Sequence, residues 1–403
     1  MSVLVAVLGL GALVFVHELG HFLASLALRM RPRRFYVGFP PALVRVQRGG
    51  IEYGIGAIPL GGFVKIPGMH RPAASDVDAQ LGRLVGEAPD LAGAVDRVRR
   101  LLAASDDAGA LEAVRLLREG VARRELSELT RRSTEKGLGD LEDALGPDAY
   151  WRAATWRRVL VIAAGPLANV ALAVVLLVVF FASAGGKATT RVDQVTPDSP
   201  AASAGLQAGD RILAVGGTPV TDATRIPRLI GASRGRPLTL VVQRDGRRVV
   251  LGPVAPRLLD GAYRLGFVLR GTGMPVGEAT GSAFRATWQV TREIVASLGR
   301  LVTGSGARDI SSPVGIVQGS SEAAKSGAES YMAVLALISL SIALLNLLPL
   351  LPLDGGHIAF AVAEGIRGRA VAREIYERVS VVGIALVVLL FVIGLSNDIG
   401  RLS

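Results

Sequence analysis

The sequence predicts a polytopic α-helical membrane protein with four transmembrane helices, a small membrane-embedded β-hairpin sheet and an inserted β-rich domain outside the cytoplasm. Half of the 403 residues are hydrophobic and the mean hydropathy is +0.43, which excludes an ordinary soluble enzyme. The apolar residues cluster in four segments, each long enough to cross a hydrocarbon core about 30 Å thick. These segments are roughly Ser2–Leu28, Val159–Ala184, Tyr331–Leu353 and Val379–Leu395.

The first apolar segment is expected to be a transmembrane helix and not a cleaved signal peptide. No basic region precedes the run Met1–Val16, and no small-x-small cleavage site precedes the first arginines. The chain has no cysteine, so disulfides and thiolate metal ligands are excluded.

Basic residues alternate between the two sides of the predicted spans. Arginines follow the first span, precede the second and lie between the third and fourth, and positive charge near span ends is retained in the cytoplasm. This pattern predicts that both termini and residues 185–330 are extracytoplasmic and that residues 29–158 and 354–378 are cytoplasmic. The net charge of +11 is therefore attributed to membrane topology, and no nucleic-acid partner is expected.

A glycine-rich segment, residues 31–70, follows the first span directly. Its strand-like stretches are Ala42–Gln47, Ile51–Ile58 and Phe63–Ile66, and Gly49-Gly50 forms a tight turn between the first two. We expect this sheet to enter the cytoplasmic face of the membrane, where non-helical backbone is tolerated only if protein or a water-filled cavity covers it.

Two water-exposed regions interrupt the spans. Residues 71–150 carry leucine and valine at three- and four-residue spacing, which predicts a cytoplasmic insertion of two to four amphipathic helices. Residues 187–270 predict a compact β-rich domain, with a short helix Ala201–Ala204, a strand Arg211–Val215 and a hairpin at Asp245-Gly246.

The predicted organisation is completed by the segments around these regions. Residues 277–328 are expected to form amphipathic helices, with Trp288 and Ile294 on the apolar side, and a glycine- and serine-rich connection. The predicted segments are 1–30 (first span), 31–70, 71–150, 157–184 (second span), 187–270, 277–328, 331–357 (third span), 358–378 (cytoplasmic) and 379–397 (fourth span).

Three ionisable residues lie inside the first apolar segment, as His17-Glu18-Leu19-Gly20-His21. A charged side chain at membrane depth costs at least ~2.5–3.5 kcal/mol, so a compensating partner is expected. Residues four apart share a helix face, so His17 and His21 can bind one Zn²⁺, and Glu18 at the edge of that face can take a proton from water. The alternative is that these residues only make polar contacts with neighbouring helices.

A catalytic zinc site usually has three protein ligands, and the third must come from elsewhere in the chain. The third span ends with "ALLNLLPLLPLDGGHIAF", in which Pro349 and Pro352 break the helix and Asp354 follows at membrane depth. Asp354 is the favoured third ligand and His357 is the second choice. The alternative is that Asp354 only N-caps the next helix, although a capping residue can also be a ligand.

These motifs resemble the site-2 proteases, the intramembrane zinc metalloproteases, and most closely the bacterial regulator-of-sigma-E protease type. The resemblance covers all four spans, and residues 71–150 have no counterpart in it. It extends to the domain between spans two and three, which is similar to a PDZ domain. The matching stretches are "HELGHF" at 17–22, "VGF" at 37–39, "EYGIGAIPLGGFVK" at 52–65, "AAGPLAN" at 163–169 and "NLLPLLPLDGGH" at 346–357.

The resemblance implies a role for each matching residue. His17, His21 and Asp354 would hold one Zn²⁺ per chain, with Glu18 as the catalytic base. Residues 52–66 would form a membrane-embedded loop that receives an extended substrate strand. An unwound substrate needs new backbone partners in lipid, so the exposed edge that accepts it is expected around Gly54–Ile58. The implied substrate-binding residues are Gly54, Ile55, Gly56, Ala57, Ile58, Asn346, Pro349 and Pro352.

The resemblance also implies the substrate and the compartment. The substrates would be single-span transmembrane proteins, such as anti-sigma factors or remnant signal peptides, cut near the cytoplasmic side of the bacterial cell membrane. The PDZ-like domain would exclude untrimmed substrates by size or bind a peptide C-terminus near Ala204–Gly209. The alternatives are a membrane zinc hydrolase of a small or lipid-like substrate and a non-catalytic PDZ-like membrane scaffold.

Overall fold

Four helices of the computed structural model are long and apolar enough to cross a membrane, within the part of the chain that it describes: residues 2–183, 185–259, 261–302, 312–369, 371 and 373–402. Helices are labelled α1–α13 and strands β1–β10 in chain order. The four spans lie in α1 (Ser2–Ala27), α6 (Thr155–Ser183), α11 (Ala328–Asn346) and α13 (Arg373–Leu402).

The third span is shorter than the sequence predicted. We expected it to reach Leu353, but α11 ends at Asn346 and residues 347–353 are irregular. The residue before a proline is disfavoured in helical conformation, so Leu348, which precedes Pro349, cannot readily continue the helix. Asp354 therefore begins a separate helix, α12 (Asp354–Arg367).

The chain divides into two compact units. The first comprises residues 1–173, 290–326 and 337–403, and the second comprises 174–289 and 327–336.

In the first unit, a two-stranded hairpin follows α1. It consists of β1 (Arg34–Arg48) and β2 (Ile51–Lys65), joined by the predicted turn at Gly49-Gly50, where both glycines have positive φ. The first part of β1 pairs on both sides: Tyr36 is the partner of Gly54 and also of Phe63. The hairpin is thus folded on itself, and the segments lie in the order 42–48, 51–56, 34–37, 62–65.

This order corrects the predicted sheet edge. Gly54 and Ile55 each have partners on both sides and lie in the middle of the sheet, so the expected exposed edge at Gly54–Ile58 is wrong for these two residues. The register shifts in β1 that cause this arrangement cannot be recognised from the alternation of polar and apolar residues in the sequence. Within the described residues, the outer segments of the sheet are Ala42–Arg48 and Gly62–Lys65.

The predicted helical insertion is confirmed as four helices with their own core. The core contains Leu81, Leu117 and Leu138, which are almost completely buried. Ser127 and Asp106 accept hydrogen bonds from backbone N–H groups in the first turns of their helices, as N-caps do. The helices are α2 (Ala74–Glu87), α3 (Ala92–Ala103), α4 (Asp107–Ala122) and α5 (Glu128–Leu145).

Ion pairs connect the insertion to the hairpin. Arg33, next to β1, donates to Asp143 of α5 at 2.7 Å, and Lys65 at the end of β2 donates to Asp140 at 2.6 Å. These side chains are partly exposed, so each pair contributes little stability by itself. Together they fix the position of β2 relative to α5.

The second unit contains the predicted β-rich domain. Its main antiparallel sheet has the order β10-β3-β4-β6-β7, and Val192, Ile212, Leu240 and Ile226 form part of the core. The hairpin turn at Asp245-Gly246 is confirmed, with both residues at positive φ. The elements are β3 (Lys187–Val195), α7 (Pro200–Ser203), β4 (Arg211–Val215), β5 (Thr218–Pro219), α8 (Arg225–Ala232), β6 (Leu238–Arg244), β7 (Arg247–Val254), β8 (Arg257–Leu259), β9 (Ala262–Arg264) and β10 (Phe267–Thr272).

Two further helices occupy the region after the β-rich domain. The predicted amphipathic segment is a single helix, α9 (Val276–Val302), in which the side chain of Trp288 is 66% exposed. Part of the predicted glycine- and serine-rich connection is helical instead, as α10 (Pro313–Lys325), and residues 303–311 lie outside the described residues. Pro313 at the first position and the Ser312 cap favour the start of this helix.

Asp210 is almost fully buried in the β-rich domain and is paired with Arg244. Its two carboxylate oxygens accept hydrogen bonds from Nε at 2.8 Å and Nη2 at 2.7 Å of Arg244. Burial alone would raise the pKa of Asp210, but the hydrogen bonds from Arg244 and from the Gln207 N–H outweigh it and hold the pKa below 3.8.

We expect this pair to make the β-rich domain sensitive to acid. Because the pKa is lower in the folded state, the contribution of Asp210 to stability is complete above about pH 3.8 and is lost as the pH falls through the folded-state value. The test is hydrogen exchange of β4 and β6 in the full chain, measured from neutral to acidic pH. In the Asp210→Asn variant the β-rich domain should be less stable at neutral pH, and its stability should depend less on pH.

The control is Asp193→Asn, which removes the carboxylate from an exposed pair with Arg270. An Asp210→Asn profile parallel to that of the unmodified chain would contradict the prediction.

Candidate metal centre

Helix α1 presents two histidines on one face. The Nε2 atoms of His17 and His21 lie 3.3 Å apart, and the two rings are nearly perpendicular. Both side chains are buried. The four-residue spacing therefore brings the two imidazoles together as the sequence predicted.

Asp354, the first residue of α12, completes a cluster of three ligand atoms. Its Oδ2 atom lies 3.1 Å from Nε2 of His17 and 3.3 Å from Nε2 of His21. Ligands around a tetrahedral Zn²⁺ at 2.0–2.1 Å are separated by about 3.3 Å, so the triangle matches one face of a zinc site. Within the described residues, these three form the one cluster of this kind.

The chemistry of these atoms also fits a bound cation. Nδ1 of His21 lies 2.9 Å from the Val161 carbonyl oxygen, so it is assigned as the protonated nitrogen and Nε2 carries the lone pair. Three electron-rich atoms that face one another repel unless a positive charge lies between them. The buried Oδ2 of Asp354 has no hydrogen-bond donor in the described structure, which leaves it free to coordinate a metal.

Close contact between α1 and α6 sets the position of His21. A methyl group on Gly165 of α6 would collide with the His21 imidazole, and one on Gly20 would collide with the Ala164 carbonyl. The stretch "AAGPLAN" was noted in the sequence, but no role was predicted for Gly165 or for Val161. A glycine next to a proline inside an apolar helix was the available signal, because small residues allow membrane helices to approach.

The irregular segment after α11 positions Asp354. Residues 347–351 fold against the start of α12, where a side chain on Gly355 would collide with the carbonyls of Leu347 and Leu348. The cap residue of α12 is Leu353, so the alternative in which Asp354 only N-caps this helix is wrong. His357, the second choice as ligand, forms a hydrogen bond through Nδ1 with the Tyr376 hydroxyl and is not in the cluster.

Glu18 lies beside the cluster and against the outer segment of β2. Its Cγ would lie 3.1 Å from a methyl group on Gly62, and the backbone N–H of Val64 is close to its carboxylate. The hairpin is held against α1 by an aromatic cluster that includes Phe22 and Phe35, with ring centroids 4.7 Å apart. The sequence did not predict this contact between Glu18 and the segment around Gly62, because a backbone contact has no residue-type signature.

The predicted substrate-binding residues lie on two different elements. Asn346 is the last residue of α11, and Pro349 and Pro352 lie in the irregular segment before Asp354. Gly54, Ile55, Gly56, Ala57 and Ile58 all belong to β2. Within the described residues, no hydrogen bond joins Asn346 to the metal cluster.

Comparison with known proteins agrees with this geometry. A model of peptidase family M50 matches residues 5–390. Zinc metalloprotease RasP of Geobacillus kaustophilus is 32% identical, over 99% of this chain and 98% of the relative. A putative zinc metalloprotease of Lactococcus lactis is 30% identical, over 97% and 96%. The regulator of sigma-W protease RasP of Bacillus subtilis is 29% identical, over 100% and 99%.

These matches span the helices that carry the histidines and the aspartate. The alignments cover nearly the whole chain, with an overall identity of about 30%. The chain therefore belongs to peptidase family M50, the site-2 proteases, and is a zinc-dependent metalloprotease of the membrane.

Proposed function

We propose that this protease hydrolyses peptide bonds within the transmembrane segments of single-span proteins in the bacterial cell membrane. His17, His21 and Asp354 hold one Zn²⁺, and Glu18 is the general base. The observation that carries this proposal is the position of the ligand triangle: it is built partly on α1, a candidate span, and Glu18 beside it touches an outer strand of the hairpin.

A bound Zn²⁺ supplies a Lewis acid and lowers the pKa of water. The residues of the chain transfer the proton and hold the reacting groups in position. Glu18 accepts the proton of the attacking water and passes it to the leaving amine, which is general acid–base catalysis by one carboxylate. The Val161 carbonyl fixes the His21 ring, and this support reduces the reorientation that the reaction requires.

A transmembrane helix must unwind locally before its peptide bonds can be cut. The unwound strand then needs backbone hydrogen-bond partners, because unpaired groups are costly in lipid. The Gly62–Lys65 segment supplies such partners by strand addition, next to Glu18. This segment replaces the Gly54–Ile58 edge expected from the sequence.

The residues around Gly54 take a different part in this proposal. A methyl group on Gly54 would collide with the Tyr36 ring, which stacks on Phe63. Gly54 thus leaves room for the Tyr36 ring, which packs against Phe63 of the outer segment. Ile55 and Ile58 are about half exposed and offer apolar contacts to the substrate or to lipid. Asn346, Pro349 and Pro352 border Asp354 in the chain, where a substrate backbone would pass.

A polypeptide substrate is favoured over the alternatives. A strand edge beside the base suits an extended peptide, and a small or lipid-like substrate would not use it. A non-catalytic scaffold would not need Glu18. One relative is named as a regulator of sigma-W protease. By this likeness we propose anti-sigma factors as substrates, with remnant signal peptides as the second type.

We propose that the β-rich domain is PDZ-like, lies outside the cytoplasm and controls access to the site. Strand β10 ends the sheet order, so its outer side is open to strand addition within the described residues. The Gly205–Gly209 loop, where a peptide C-terminus was expected, already bonds to Arg244 and Val192 through its backbone. A peptide C-terminus is therefore better placed along β10.

Substitution of Glu18 should separate metal binding from catalysis. Glu18→Gln keeps the side-chain shape, so zinc should remain near one per chain while cleavage of a single-span substrate in liposomes falls about 10²–10⁴-fold. Asp354→Ala should lose zinc as well as activity, because it removes a ligand. Equal loss of zinc in both variants, or near-normal cleavage by Glu18→Gln, would contradict the assigned roles.

Substitution of Gly165 should weaken metal binding without replacing a ligand residue. The methyl group of Gly165→Ala overlaps the His21 ring, and displacement of a supporting group typically weakens metal affinity about 10–100-fold. Zinc affinity measured by competition with a chelator tests this. Gly400→Ala, in a span where a methyl group meets no atom within 4 Å, is the matched control and should leave the affinity unchanged.

Removal of the β-rich domain should widen the range of substrates and keep the metal site. Lys187 and Thr272 are partners in the β3–β10 pair, about 5 Å apart, so a short glycine linker can join the chain after excision. The shortened protease should retain zinc and cut substrates with intact ectodomains. Inability of a stably folded variant to cut pre-trimmed substrate would argue against access control.

A further inference from the structure

The first unit contains a cavity of about 840 Å³ that none of the metal-binding residues lines. Its walls come from the insertion, the start of α6, the later turns of α12 and the start of α13. Arg158 and Tyr376 belong to the first turns of α6 and α13, both of which contain candidate spans. The cavity is therefore located at the ends of two membrane helices.

The charge of the cavity wall is predominantly positive. Arg71, Arg158 and Arg369 line it, against a single lining carboxylate, Glu364. Arg71 is itself paired with Asp107, which is not part of the wall. Because Arg158 is paired with Glu364, the surplus is the one positive charge of Arg369, and it favours an anionic ligand.

Arg158 is the residue in this wall with unused hydrogen-bonding capacity. It is only 8% exposed, and its Nη2 donates to Oε2 of Glu364 at 2.5 Å. Its buried Nε has no hydrogen-bond partner in the described structure. A buried, unpaired guanidinium N–H is costly, and an acceptor within the cavity would remove this cost.

The start of α6 adds a second feature that attracts anions. Ala153, Ala154 and Thr155 line the cavity, and α6 begins at Thr155 and continues for 29 residues. The first N–H groups of a helix lack helical partners and carry a partial positive charge, so they bind phosphate well. Arg158 lies in the first turn of the same helix.

Aromatic side chains provide a further part of the wall. Arg158 stacks over the Tyr150 ring at 5.0 Å, and Arg71 stacks over Trp151 at 5.3 Å. Phe360 and Tyr376 lie on the α12 and α13 side with ring centroids 4.6 Å apart. The volume exceeds that of a simple anion, and these rings suit the apolar part of an organic ligand.

We propose that this cavity binds a phosphate group carried by an organic molecule. Arg158 and the N-terminus of α6 bind the phosphate, and the aromatic wall contacts the organic part. The location at the ends of α6 and α13 suits the headgroup of an anionic phospholipid, and a soluble organic phosphate has the same binding chemistry. The site is independent of the peptidase centre, so its test does not depend on the proposed substrate.

The test uses the full, zinc-loaded chain in nanodiscs. One arm compares phosphatidylcholine with and without phosphatidylglycerol, and native mass spectrometry counts the phosphatidylglycerol that remains bound. The other arm titrates inorganic phosphate and glycerol phosphate into phosphatidylcholine nanodiscs and follows the thermal unfolding midpoint. We expect saturable binding of about one ligand per chain in at least one arm.

Variants identify the site. Arg158→Gln with Glu364→Gln removes both charges but keeps hydrogen-bonding groups, and it should weaken binding about 10–100-fold, as loss of a charged hydrogen bond does. Glu364→Gln alone removes the competing carboxylate and should tighten binding. The double variant Arg123→Gln and Glu119→Gln alters an exposed pair at the end of α4 in the same way and should leave binding unchanged.

The outcomes are distinct. Retention of phosphatidylglycerol identifies a lipid as the source, and a response to glycerol phosphate alone identifies a soluble ligand; either supports the proposal. Absence of saturable binding in both arms, with zinc content and unfolding normal, would overturn it. Equal weakening by Glu364→Gln and by the double variant would also overturn it, since competition by the carboxylate would then be excluded.

Discussion

The mutual closeness of three electron-rich atoms, Nε2 of His17, Nε2 of His21 and Oδ2 of Asp354, is the constraint on which the rest of the first unit depends. Without a cation, such a cluster in a buried environment is unfavourable, because each atom loses hydration and faces a lone pair. With Zn²⁺ the same distances become the edges of a coordination polyhedron. In the proposed site, a bound Zn²⁺ would therefore stabilise the contact between α1 and α12.

Several features of the chain allow that contact to form. Gly20 and Gly165 let α1 and α6 approach closely enough for the Val161 carbonyl to reach His21. The glycine at 355 lets residues 347–351 fold under the start of α12. In each case the glycine is needed because a neighbouring group occupies the space of its absent side chain, and not because the backbone must be flexible. The cost in backbone entropy is offset by the placement of a ligand.

The predictions from sequence succeeded where the signal was local. The four-residue spacing placed two histidines on one helix face, the three- and four-residue spacing revealed the insertion, and Asp245-Gly246 marked a hairpin. They failed where a non-local pairing decided the outcome. The doubled pairing of Tyr36 moved Gly54 from the edge to the middle of its sheet. Register shifts of this kind depend on packing partners that are distant in the sequence. The early end of α11 at Asn346 is different, because Pro349 is a local signal that the predicted bound did not take into account.

The sequence by itself determined the class of the protein and the chemistry to expect from it. It showed four apolar segments, a zinc-binding spacing with an adjacent base, and Asp354 as the favoured third ligand. Residue types and local periods are properties of the chain, so they can be read without a structure. Only the tertiary structure decided between Asp354 and His357, identified Gly62–Lys65 as the strand next to Glu18, and brought Arg158, Glu364 and the insertion around one cavity. Those choices depend on distances between segments far apart in the chain, which are set by helix packing and sheet register and have no counterpart in a local pattern.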